Sequence, residues 1–143
     1  MNTQQYQELL AMDARILNIH TEVTRCMVDT YNLSIVPFKD ILLLPLGKRV
    51  EALPGVYANA SIKTSSYVKI DCDATPGATL LLQRHPDSTE LFEVTGGSMT
   101  CLVTGVELEE GDSQQVPMNG LHGYKVGAYG VTFTSTIRKA TAW

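Results

Sequence analysis

Two hydrophobic rhythms divide the chain. Between Asn2 and Tyr31, residues Leu9, Met12, Ile16, Ile19, Val23 and Cys26 follow one another at steps of three and four. That is the a/d spacing of a helix that lays a narrow apolar seam against partner helices. Asn2, Gln5 and Thr30 extend the rhythm as polar members. Ile16 and Ile19 occupy consecutive a and d sites, and β-branched residues at both favour three strands over two. Leu10 and Leu17 widen the stripe, and a wide stripe also suits a helix packed across its own β domain. Both arrangements bury Ile16 and Ile19.

From Pro37 onward the period shortens to two. Ile41 to Leu46 is a continuous apolar run, as expected of a strand buried on both faces or at an interface. Val56, Ala58, Ala60 and Ile62 alternate with polar or half-polar neighbours, as do Val68, Ile70 and Cys72, and later Val131, Phe133, Ser135 and Ile137. Glu90–Val94 and Met99–Val103 flank Thr95-Gly96-Gly97-Ser98, which predicts a hairpin. Gly105 to Gly123 reads as a long loop, because no strand is clear there beyond Val106 to Leu108. Tyr124 to Gly130 is an aromatic and glycine mix typical of strand bends. The predicted fold is mainly β with an N-terminal α-helix: a helical oligomerisation stem over residues 1–33, then an antiparallel sandwich or jelly roll over 34–143.

Composition narrows the partners. Fifteen acidic against eleven basic residues give a formal charge of −4, and no basic stripe of the kind that binds nucleic acid is present. The N-terminus is polar, unlike a Sec-type leader. The longest apolar run is too short to span a bilayer, so no membrane role is expected. Cys26, Cys72 and Cys101 are odd in number and lack ligand spacing, which argues against a disulfide framework and a zinc site.

Motifs that carry chemistry are scarce. Asp71 and Asp73 lie on one strand face, but two carboxylates are too few for a hard cation. His85 and Asp87 could form a base and its orienter, yet Pro86 between them marks an ordinary turn. His20 falls beside the seam, and His122, between Gly120 and Gly123, reads as a loop residue. There is no nucleophile elbow and no phosphate-cradling glycine motif. No catalytic residue, cofactor site or metal site is therefore assigned.

The seam from Leu9 to Cys26, followed by Thr/Ser/Gly-rich strands through Ile137, resembles the small homotrimeric structural proteins of tailed-phage virions, such as head fibres, decoration proteins and spike or collar appendages. The resemblance implies a non-enzymatic homotrimer of the virion, made in the host cytoplasm and attached to other virion proteins. Two alternatives stay open. One is a module that binds a glycan or receptor through Tyr57, Tyr67, Tyr124 or Tyr129. The other is a small oligomeric β enzyme with a site between subunits.

Overall fold

The computed structural model describes residues 33–140. The seam residues Leu9, Met12, Ile16, Ile19, Val23 and Cys26 lie outside them. Among the described residues the secondary structure is β apart from one short helix. It runs β1 (Ser34–Ile35), α1 (Phe38–Ile41), β2 (Arg49–Leu53), β3 (Val56–Lys63), β4 (Tyr67–Ala74), β5 (Thr79–Arg84), β6 (Ser88–Cys101), β7 (Glu107–Glu109), β8 (Ser113–Val116) and β9 (His122–Lys139).

Two long antiparallel strands, β6 and β9, organise the rest. They pair along almost their whole length, from Ser88 opposite Lys139 to Cys101 opposite Tyr124. The first part of β9 also pairs with β5, and its second part pairs with β4. Strands β3 and β2 continue outward from β4, and β1 adds in parallel to β5. On its far side, β6 carries β8 near its start and β7 near its end. Each long strand thus belongs to both halves of a curled sheet.

The crease explains why the hairpin expected at Thr95–Ser98 is absent. Register shifts fall between Val94 and Gly96 and between Gly97 and Met99, and β6 bends there without reversing. Gly97 has φ +67° and faces Gly130, with φ +79°, on β9. Glycine supplies the left-handed backbone that a bulge needs, as it does for a tight turn. The same dipeptide therefore suits either outcome, and pairing with an unbroken β9 selects the bend.

Two further expectations are corrected. Ile41–Leu46 is not a strand. Phe38–Ile41 forms a single helical turn, with the Leu42 amide donating to the Phe38 carbonyl. The Phe38 amide is capped by Asp87 Oδ1 at 3.0 Å. Phe38 and Ile41 join Ala58, Ala60, Val68, Ile70 and Ile137 in one buried apolar cluster. The Gly105–Gly123 stretch is not a bare loop either. It contributes β7 and β8, and Leu108 and Val116 are buried in the main core.

Period-two alternation selects the inner face elsewhere. Val56, Ala58 and Ala60 are buried, and a bulge after Ala60 turns Ile62 outward to 39% exposure. On β9, Val131, Phe133, Ser135 and Ile137 all point inward. Ser88, Glu90, Phe92 and Val94 do so on β6. A glutamate and a serine thus occupy core positions, which directs attention to what surrounds them.

Candidate metal centre

Glu90 sits on the inner face of β6, 5% exposed. His85 lies at the turn that follows β5, and His122 opens β9, opposite Gln83 of β5. The curl brings all three together. Glu90 Oε1 is 2.8 Å from His85 Nε2 and 2.9 Å from His122 Nε2. One ligand-capable atom from each residue lies within 4.8 Å of the others. Both imidazoles are buried. Phe92 packs against the His122 ring at 5.6 Å between centroids, and the two imidazoles are 5.0 Å apart.

The outer atoms of the cluster fix its chemistry. His85 Nδ1 is 2.9 Å from the Val36 carbonyl oxygen, and His122 Nδ1 is 2.9 Å from the Gly120 carbonyl oxygen. A carbonyl can only accept, so each Nδ1 carries the proton and donates. In a neutral imidazole the lone pair is then on Nε2, aimed at the Glu90 carboxylate. Ser135 Oγ donates to the other carboxylate oxygen, Oε2.

Burial alone would raise the Glu90 pKa. The neighbouring His122 and His85 outweigh it and hold the carboxyl at about 2. Burial likewise pulls His85 down, but Glu90 and the Val36 carbonyl outweigh it and leave its pKa raised. Glu90 is therefore an anion. When both imidazoles are neutral, three acceptors converge on one point. His122 Nε2, despite its short distance to Glu90, has no hydrogen-bond partner of acceptable geometry. Only a cation satisfies such a point: shared protons or a metal ion.

The residues fit a metal. Two imidazoles and a carboxylate are the donor set of mononuclear iron sites and of some catalytic zinc sites. Ligands about 2.1 Å from one ion and at right angles to each other lie about 3 Å apart, close to the separations from Glu90 Oε1 to each Nε2. Each ligand also has an outer partner, Val36, Gly120 or Ser135. Such partners are typical of groups that orient metal ligands.

A cavity of about 330 Å³ opens over the cluster, and His85, Glu90 and His122 belong to its lining. Ser34, Asp40 and Ala52 line it and are exposed, which marks its mouth.

The other residues weighed from sequence do not converge here. Asp73 pairs with Arg49 on the surface at 2.6 Å, and the Arg49 guanidinium lies over the Tyr57 ring at 3.8 Å. Arg138 lies over Tyr67. Tyr124 is fully buried and donates to Gln114, which leaves Tyr129 alone of the four tyrosines fully exposed. Asp87 does not orient His85; it caps α1. Cys72 and Cys101 are free.

No protein-family model and no curated protein matches the chain. Solved structures do. KdgF from Halomonas sp. superposes with a TM-score of 0.61 at 14% identity, over 66% of this chain and 87% of that one. An RmlC-like cupin from Shewanella frigidimarina gives 0.59 at 21%, over 68% and 91%. A conserved protein with a double-stranded β-helix domain from Klebsiella pneumoniae gives 0.55 at 19%, over 73% and 89%. These likenesses overturn the resemblance to trimeric phage virion proteins. With it go the virion location and the virion and host-receptor partners. The buried cluster overturns the non-enzymatic reading and favours the small β enzyme, with all three candidate ligands drawn from one chain rather than from an interface. The described chain has the curled, double-stranded β fold of the cupins.

Proposed function

We propose that this protein is a metal-dependent enzyme, with His85, Glu90 and His122 holding one first-row divalent ion at the floor of the cavity. The observation that carries the reading is the convergence of three acceptor atoms whose tautomers are set by backbone carbonyls. Three protein donors rather than four are characteristic of a catalytic site, since a structural ion is usually closed off by a fourth. When bound, the ion would act as a Lewis acid toward a substrate oxygen.

The chain's own residues do the remaining work. Val36 and Gly120 hold the two imidazoles with Nε2 inward. Ser135 fixes the Glu90 carboxylate through Oε2, so that Oε1 stays turned to the histidines. Phe38 and Ile41 are buried in an apolar cluster, and Ile41 adds to the cavity wall.

Metal content after chelation, reloading and dialysis tests the reading, with about one ion per chain expected. Ser135→Ala should retain the fold and weaken metal affinity by roughly 10–100-fold, the usual effect of losing an orienting partner. Equal affinity in wild type and Ser135→Ala, measured by competition with a chromogenic chelator, would show that the serine plays no such part.

A further inference from the structure

The cavity over the cluster is chemically one-sided. Ile41, Leu53, Val56, Ile70, Phe133 and Ile137 supply much of its wall. Among the described residues, no Lys or Arg lines it, and its fixed charges are Asp40 at the mouth and Glu90 at the floor. A phosphate ester or a polycarboxylate would give up its hydration beside two carboxylates, with no side-chain cation to receive it. Burying an unpaired anion is costly, and a metal ion already part-neutralised by Glu90 would be the one cation facing it.

A polyol fits no better. Each of its hydroxyls needs a partner once buried; the Tyr124 and Ser135 hydroxyls already donate to Gln114 and Glu90, and outside the His–Glu cluster the remaining polar side chains of the lining are Gln83 and, at the mouth, Ser34 and Asp40. An apolar body gains instead from every wall it covers. A cavity of 150 Å³ holds benzene, so this one accommodates about a dozen non-hydrogen atoms.

We infer that the substrate is a small, largely apolar molecule of about that size, carrying one oxygen donor for the metal and neither phosphate nor a polyhydroxylated body. The oxygen donor rests on the metal reading above; the apolar body rests on the cavity alone.

The test uses the full chain in two forms. On protein reloaded with cobalt(II), the visible absorption bands report binding of acetohydroxamate, benzohydroxamate, glucuronate and inorganic phosphate. Benzohydroxamate should bind at least tenfold more tightly than acetohydroxamate, with phosphate and glucuronate weaker than both. On chelator-treated protein, indole should raise the melting temperature. Ala58→Leu fills the cavity and should abolish both the tenfold preference and the indole shift while keeping the β-sheet spectrum. Should that variant not fold, Ala52→Phe at the mouth serves in its place.

Equal affinity for the two hydroxamates, or tightest binding of phosphate or glucuronate, would overturn the inference while the retained cobalt upheld the metal reading. Loss of cobalt on dialysis together with a clear indole shift would do the reverse, sinking the metal reading and supporting the apolar cavity.

Discussion

Gly97→Val should leave the protein without a folded β domain. A Cβ at this position would lie 2.1 Å from the Gly130 carbonyl oxygen and 3.0 Å from Val131 Cα, and both are backbone atoms of β9. Neither can move without opening the β6–β9 ladder on which the sheet is built. The backbone there has φ +67°, which costs an L-residue about 1–2 kcal/mol before any clash is counted and a β-branched one more. A domain has about 5–15 kcal/mol to lose, so strain plus clash should exhaust most of it. Gly47→Ala is the matched control. Gly47 has φ +70°, and nothing lies within 4 Å of its added Cβ. It should cost only the backbone part, about 1–2 kcal/mol, read as a modest shift in urea midpoint. If the two variants unfold at similar denaturant concentrations, the crease is not the structural keystone described above.

The second large effect concerns Glu90. In metal-free protein Glu90 favours the protonated form of His85, and removing one member of such a buried charged pair costs about 3–5 kcal/mol because the other is left uncompensated. Glu90→Leu should therefore lower the stability of metal-free protein by about that amount, measured by chemical denaturation. Glu90→Gln behaves differently. Its side-chain amide can donate to a histidine Nε2 as the carboxylate cannot, so the fold should survive while metal affinity falls at least 100-fold. Folding defects and metal loss are thereby separated on one residue. A Glu90→Gln protein that keeps its ion would remove the carboxylate from the site.

The strands were legible where one face is buried and the other wet. Val56–Ala60, Val68–Ile70 and Val131–Ile137 alternate in sequence and in burial alike. The errors fall where one local chemistry serves two structures. Ile41–Leu46 is apolar enough for a strand, but Phe38 and Ile41 are buried against Ala58, Val68 and Ile137 by a helical turn capped by Asp87. The Thr95–Ser98 glycines suit a turn or a bulge equally. Strands β7 and β8 are short and polar, and they are held in place by pairing with β6 rather than by an apolar rhythm of their own.

The site was hidden for a different reason. His85 reads as a turn residue beside Pro86, and His122 as a loop residue between glycines. Glu90, five positions from His85, looks like one more surface acid. No linear spacing marks them, because the β6–β9 curl brings them together. One signal was available: Glu90 falls in phase with Ser88, Phe92 and Val94, so a strand burying Phe92 and Val94 must bury the carboxylate too. A buried acid needs a partner, and the chain has three histidines to supply one.

The most direct test of the centre is a crystal structure of metal-reconstituted protein, with diffraction data collected above and below the absorption edge of the added ion. A single anomalous peak within coordination distance of His85 Nε2, His122 Nε2 and Glu90 Oε1 is the expected result. The same experiment would contradict the metal centre if no peak appeared there in metal-saturated crystals, with Glu90 still hydrogen-bonded to His85 and in contact with His122.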